Sequence, residues 1–306
     1  MRIGVVGAGG VGGYFGGMLA NAGHDVVLVA RGAHAANIKQ NGLVIEGPKG
    51  RMRTSLTCVE DPAGQQPVDA LLFCVKAYDV NTAAKIAERL IDSDSAIVTL
   101  QNGLDSAERF QASLSRPLAL ALPGSAYVSA KVTEPGVIAN TSAMSALVFG
   151  SLTGDIPING RRLPQACKES GLGAEITNDI IKELWIKFIL TASTAGLATL
   201  GRVPKKVLFS NAPLRALTIS AMGECLRVAA AENVELPTDL LERSLKLADS
   251  FPDDMYASMC LDLLAGRRLE LDVFSSAVVE RAERHGLDAP IHRYIYSGLK
   301  PLSGSQ

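Results

Sequence analysis

The chain has 306 residues, enough for roughly two domains of about 100–200 residues each. Its residues are 47% hydrophobic and 20% charged, the balance of a folded globular protein, which excludes a disordered one. Lys and Arg total 30 against 31 Asp and Glu, a net charge of −1, so no basic stripe invites nucleic acid or a membrane.

Taken in order, the first half alternates short apolar runs with helical stretches. Ile3–Val6, Val26–Ala30, Ala70–Val75 and Ala96–Leu100 have the form of strands buried on both faces. Between them Tyr14–Ala22, Ala35–Asn41, Val80–Arg89 and Ser106–Ser113 are expected as helices. This alternation predicts an α/β domain with a doubly wound, mostly parallel sheet. Leu118–Leu122, Val137–Ala139 and Ala146–Phe149 follow as further strands, with Pro135-Gly136 as a turn. Beyond Thr177 the pattern changes to long helices: Ile180–Leu200, Ala212–Glu232, Thr238–Ser250, Met255–Ala265 and Leu271–His285, the last ended by Gly286. The expected division is therefore residues 1–177 as an α/β domain and 178–306 as an all-α domain.

Met1-Arg2 followed by apolar residues can imitate a signal peptide. Gly7 to Gly17 is too glycine-rich for its helical segment, however, and a polar turn at Asn21–Asp25 follows. Other apolar stretches are broken by charges before the roughly 20 residues that span a bilayer. The five cysteines (Cys58, Cys74, Cys167, Cys225, Cys260) form no C-x-x-C pair, and the four histidines have no metal-site spacing. A cytoplasmic protein with reduced thiols and no metal is expected. Val273–Val279 is apolar enough for either a homodimer face or a core strip.

Gly7-Ala8-Gly9-Gly10-Val11-Gly12 matches G-x-G-x-x-G and lies between a predicted strand and a predicted helix, the context that gives the motif meaning. Gly7 suits the tight turn, Gly9 lets a pyrophosphate approach the backbone, and Gly12 lets the helix pack on the sheet. The helix N-terminus adds free N–H groups and a positive dipole end. After the second strand the chain reads Val29-Ala30-Arg31-Gly32, with no acid to bind a ribose 2′-hydroxyl. Arg31 instead suits a 2′-phosphate, so NADPH/NADP is expected in preference to NAD.

With Arg31, Val75-Lys76, Gln101-Asn102-Gly103, Leu184-Trp185-x-Lys187 and Ser258-x3-Asp262-x3-Gly266-x3-Glu270, the glycine loop resembles that of the ketopantoate reductase (2-dehydropantoate 2-reductase) family over nearly the whole chain. The resemblance implies a Rossmann domain, a helical domain of the 6-phosphogluconate dehydrogenase C-terminal type, and an active site in a cleft between them. It implies NADPH-dependent reduction of ketopantoate to pantoate, a step of pantothenate biosynthesis. Carried over residue by residue, Lys76 lies near the cofactor, Asn102 touches cofactor and substrate, and Lys187 is the proton donor. Ser258 binds the substrate carboxylate, Glu270 contacts cofactor and lysine, and Ala130 matches a strand-end alanine beside the cofactor.

The substrate side departs from the family. Thr191 and Ala195 stand where asparagines follow the lysine by four and eight residues, and Lys205 follows Pro204 in place of a third. Positions 187, 191 and 195 share one helix face, so a pocket wall that includes Thr191 is remodelled. The expected activity is NADPH-dependent reduction of a small 2-oxo acid. A related enzyme for another oxo or hydroxy acid and a non-catalytic NADPH-binding protein are the alternatives.

Overall fold

Leu72 of the run Ala70–Phe73 packs into one hydrophobic cluster, and its neighbours Leu71 and Phe73 pack into another on the opposite face. The same alternation places Val5 against one face and Val6 against the other, which is why these strands are apolar at every position. The computed structural model describes residues 1–48, 50–116, 120–141 and 145–304. The chain parts into two compact units, Met1–Gln101 with Asp105–Ile180, and Asn102–Leu104 with Ile181–Gln306.

In the first unit β1 (Arg2–Val6), α1 (Gly10–Asn21), β2 (Asp25–Val29) and α2 (Gly32–Asn41) lead to β3 (Leu43–Gly47), β4 (Gly50–Thr54) and β5 (Thr57–Val59). Then come β6 (Ala70–Phe73), a 3-10 turn at Ala77–Asp79, α3 (Val80–Ala87), β7 (Ala96–Thr99) and α4 (Ser106–Ala112). The unit closes with β8 (Ala121–Tyr127), β9 (Ala130–Glu134), β10 (Val137–Asn140), β11 (Ala146–Phe149), α5 (Ile158–Glu169) and β12 (Gly173–Ile176). Eight strands form a sheet in the order β12-β11-β8-β7-β6-β1-β2-β5, parallel except where β11 meets β8. The order reverses at β1, and in such sheets the ligand crevice opens beyond the strand ends at that switch point.

A second sheet, β4-β3-β10-β9, lies on the other side of α1. Glycines let α1 fit between the two. A Cβ at Gly13 would come within 2.8 Å of Ile138 in β10, and one at Gly17 within 2.6 Å of Ile45 in β3. On the opposite flank Gly16 packs against Val5 of β1. Most of this sheet was not expected from the sequence. Four of the five residues of β9 are exposed, and β4 exposes Arg51 and Arg53, so neither has the apolar pattern of a buried strand.

The second unit is helical: α6 (Ile180–Gly201), α7 (Lys205–Ser210), α8 (Ala212–Ala231), α9 (Leu240–Asp249) and α10 (Ser258–Leu264), then a 3-10 turn at Leu271–Val273, α11 (Ser275–Arg284) and α12 (Pro290–Leu299). Among the described residues only α6 is long and apolar enough to cross a membrane, yet 67% of its most apolar stretch is buried inside the protein. Its hydroxyls turn inward to their own helix: Ser193, Thr194 and Thr199 each donate to the carbonyl four residues earlier. It is a core helix.

Several expected elements change on inspection. The helix placed at Met255–Ala265 starts only at Ser258, after the turn that Pro252 sets up. The one placed at Leu271–His285 breaks at Phe274, whose φ of −115° and ψ of −101° separate a 3-10 turn from α11. The strand expected at Leu118–Leu122 begins at residues outside those described, and β8 runs on from Ala121 through Pro123-Gly124 to Tyr127. Helix α5 was unforeseen because Pro157 and Pro164 punctuate its sequence. The segment Val273–Val279 goes to the core: Val273 and Val278 are at most 1% exposed, so it offers no dimer face.

That core contains a fully buried imidazole. His292 on α12 has Nδ1 3.3 Å from Ser275 Oγ, and Nε2 3.2 Å from the Ala221 carbonyl and 3.3 Å from Cys225 Sγ. Glu224 accepts the backbone N–H groups of Ile291 and His292 and so caps α12. Burial drives the His292 pKa down from 6.5 to about 4, against a weaker upward pull from the Ala221 carbonyl. Its neutral form therefore contributes stability in full above pH 6.5, and that contribution is lost as pH falls through about 4. The expected loss is roughly 3 kcal/mol. Denaturant titrations of the wild type and His292→Gln from pH 7.5 to 4 should show a flatter decline for the variant; parallel curves would contradict this account.

Candidate active site

The glycine loop leaves the end of β1 and turns at Gly7, where φ is +100°, a backbone conformation that side chains disfavour. A Cβ there would also lie 2.8 Å from the backbone of Cys74 and Val75, so the loop rests on the chain leaving β6. Lys76 follows directly, half-buried, at the start of the 3-10 turn Ala77–Asp79. The structure thus brings the loop Gly7, Ala8, Gly9, Gly10, Val11, Gly12 and Lys76 together at the switch point.

Gly9 is the N-cap of α1, with φ −68° and ψ −166°, and a Cβ placed on it would meet nothing within 4 Å. No side chain caps the helix, and no acid occupies its first turn. Free N–H groups, a positive helix end and an open cradle fit a diphosphate. Gly10 has a different task. Its Cβ would stand 2.0 Å from the Ala130 carbonyl oxygen, because the start of β9 crosses the helix there. Ala130 is accordingly beside the loop, and Gly12 packs against the Gly7 carbonyl.

Arg31, N-cap of α2, is largely exposed, and its Nη2 lies 3.3 Å from Asp79 Oδ2 in the turn after Lys76. Two further residues here were given no role from the sequence. His34 accepts the Gly136 N–H at Nδ1; burial pushes its pKa below the usual imidazole value, and the Ala8 carbonyl pulls it partly back. Gln101 is buried and donates to the Phe73 carbonyl, while its Oε1 has no hydrogen-bond partner among the described residues. A polar residue ending an apolar strand was the available signal for Gln101.

The second unit holds the other group. Asn102, half-buried, belongs to it through Gly103, whose φ of +102° lets the chain approach Val273. Three residues before Val273 is Glu270, which is 5% exposed. Lys187 on α6 is half-buried beside Phe188, whose ring stacks on Phe274 at 6.5 Å. Desolvation draws the Lys187 pKa down from 10.5 to about 8; Lys205 pushes the same way and Glu270 opposes. Ser258 is exposed at the start of α10, whereas Asp262, one turn on, is buried and accepts a 2.8 Å bond from Arg267. Of this pair only Ser258 faces solvent.

Thr191 is half-buried, but its hydroxyl donates to the Lys187 carbonyl at 2.9 Å. Its one proton is spent inside α6, leaving it only an acceptor for a ligand. Ala195 is 5% exposed.

Two family profiles match the chain: Ketopantoate reductase PanE/ApbA over residues 3–154, and Ketopantoate reductase PanE/ApbA C terminal over residues 179–303. This chain belongs to the ketopantoate reductase family. It is 31% identical to the uncharacterized oxidoreductase YkpB of Bacillus subtilis, over 98% of both chains. It is 26% identical to a 2-dehydropantoate 2-reductase of Pyrococcus horikoshii, over 98% of this chain and 97% of that one. The crystal structure of a PanE/ApbA family ketopantoate reductase from Ralstonia eutropha superposes with a TM-score of 0.89 at 28% identity, covering 99% of this chain and 98% of that one. As a ketopantoate reductase family member the chain is an oxidoreductase acting on a CH–OH group with a nicotinamide cofactor. Its fold is the Rossmann domain and all-α domain of that family.

The two neighbouring loop glycines should separate by phenotype. Gly10→Ala forces a methyl against backbone and should destabilise the protein by about 1–3 kcal/mol or more. Gly9→Ala should leave the melting temperature unchanged while weakening dinucleotide binding at least about tenfold, because its methyl fills the cradle. Calorimetry and fluorescence titration of both variants measure this; a Gly9→Ala protein that binds normally would remove the cradle.

Proposed function

We propose that the protein reduces a small 2-oxo acid to the 2-hydroxy acid with NADPH, Lys187 acting as proton donor. The observation that supports this reading most is a half-buried ammonium on an apolar helix, with a pKa near 8 and charged neighbours of both signs. An ammonium out of water needs a task or a partner, and one poised near neutrality suits proton transfer.

The glycine loop and α1 hold the diphosphate of the cofactor, and Lys76 and Ala130 border it. Arg31 takes the 2′-phosphate, exchanging Asp79 for a stronger partner. When bound, NADPH supplies a hydride to the ketone carbon. The ketone oxygen gains negative charge, which the Lys187 ammonium stabilises and then neutralises by giving up its proton at Nζ. Glu270 keeps that ammonium charged and in place, while Asn102 and Ser258 orient the substrate.

Ketopantoate is the family's substrate, and its hydroxyl needs partners. Here Thr191 has committed its proton and Ala195 has none to offer, which favours a 2-oxo acid without that hydroxyl. Sites built to bond a substrate hydroxyl discriminate by about 10⁴–10⁵-fold, so losing such groups moves specificity substantially. NADPH oxidation followed by absorbance over a panel of 2-oxo acids, ketopantoate included, tests the reading; no turnover of any would overturn it.

Replacing Arg31 by Ala should weaken NADPH binding by roughly 1.5–3 kcal/mol and leave NADH binding nearly unchanged. Equal affinities of the wild type for both cofactors would refute the assignment of Arg31. Lys187→Ala should lower kcat at least about 100-fold with NADPH affinity preserved. In the wild type, kcat/KM for reduction should fall as pH rises through about 8, since a proton donor works only while protonated. A flat profile to pH 10 would show that another group supplies the proton.

A further inference from the structure

Lys205 opens α7, directly after Pro204, and is half-buried. Its backbone N–H donates to the Met255 carbonyl at 2.8 Å, which fixes it beside the segment that runs into Ser258 at the start of α10. Its Nζ lies 5.2 Å from the centre of the Phe251 ring, at the head of the same segment. No carboxylate among the described residues lies within 4.0 Å of that ammonium. A cation held in this way has an aromatic face behind it and no counter-ion of its own. Lys187 and Glu270 are within its electrostatic reach or that of its neighbour: Lys205 from α7 and Glu270 from the chain before the Leu271 turn are the charges that the Lys187 ammonium senses.

We propose that Lys205 receives the carboxylate of the substrate, so that the preferred substrate is a 2-oxo monocarboxylate read by its charge at Lys205 and by hydrogen bonding at Ser258. This rests on the reductase reading given above. A carboxylate supplies Lys205 with the counter-charge it lacks, whereas an ester or an amide of the same acid leaves that cation unmatched. Where the family resemblance implies an asparagine, this position would then read a charge and not a neutral group. A second consequence concerns Lys187. The Lys205 charge repels the proton that Lys187 donates, so the carboxylate-binding cation also makes the proton donor more acidic. Lys205 acts on the proton transfer only through Lys187 and is in that respect a positioning residue.

The test compares wild type, Lys205→Met and Lys205→Arg on the best 2-oxo acid of the panel and on its methyl ester. Binding of the acid to the NADP-loaded enzyme is measured by calorimetric titration beside the kinetics. Lys205→Met should weaken binding and raise KM for the acid roughly 10- to 100-fold, the scale of one charged hydrogen bond, and should not raise KM for the ester, which no longer meets an unmatched cation. Lys205→Arg should keep most of the preference for the acid. In Lys205→Met the alkaline limb of kcat/KM should move to higher pH, which loss of a merely structural contact would not do. The acid-to-ester ratio does not depend on how much of a variant is folded. The proposal is overturned if Lys205→Met changes acid and ester alike, or leaves the alkaline limb in place. If the wild type binds the acid through Lys205 yet turns over no 2-oxo acid, the reductase reading fails and the carboxylate site stands.

Discussion

Removing an ammonium from water is the constraint around which the second unit is arranged. A desolvated cation on an apolar helix costs several kcal/mol unless opposite charge is close, and Glu270, itself buried, stands on the other side of that balance. Everything that holds Glu270 and Lys187 in place then matters. Phe188 stacks on Phe274, Phe274 breaks the helix that would have carried 271–285, and the break frees the turn that presents Glu270. The apolar surroundings of Lys187 thus lower its pKa, with Lys205 adding to that shift and Glu270 opposing it.

The first unit has a different dependence, on the absence of side chains. α1 passes between two sheets, and Gly13 and Gly17 on one flank and Gly12 and Gly16 on the other let both sheets close on it. The same stretch opens with the loop that faces the crevice. One run of glycines therefore serves two ends: Gly9 leaves room for a ligand, and Gly10 leaves room for β9. The motif match marks Gly12 for packing but does not foretell that Gly10 makes room for a strand.

The parallel sheet and the long helices were legible because they are buried, and burial writes a hydrophobic period into the chain. The small sheet was not, since β4 and β9 show mostly polar residues to solvent and are fixed by pairing with β3 and β10. Lys76, Asn102, Lys187, Ser258 and Glu270 were singled out by motif; Lys76 lies in the first unit and the other four in the second. Asp79 and His34 lay outside every motif and Gln101, though inside one, was given no role, for a common physical reason. Each is defined by a contact with chain far away in sequence, to Arg31, Gly136 and Phe73. No local pattern encodes such a pairing.

The departures at Thr191, Ala195 and Lys205 have a single logic when taken together. Two of them remove proton donors from one helix face: Thr191 by turning its hydroxyl onto the Lys187 carbonyl, Ala195 by having none. The third adds a cation on a separate helix, anchored at Met255 and backed by Phe251. Neutral hydrogen bonds are directional and select shape; a charge acts at longer range and selects charge. Exchanging the former for the latter loosens the demand for a particular hydroxyl and tightens the demand for a carboxylate. On the proposed reading it would also tie substrate capture to proton transfer, because the cation proposed to draw the carboxylate in is the one that makes Lys187 more acidic. A carboxylate bound there would offset that repulsion and raise the Lys187 pKa again, so the proton would be held until negative charge develops on the substrate oxygen.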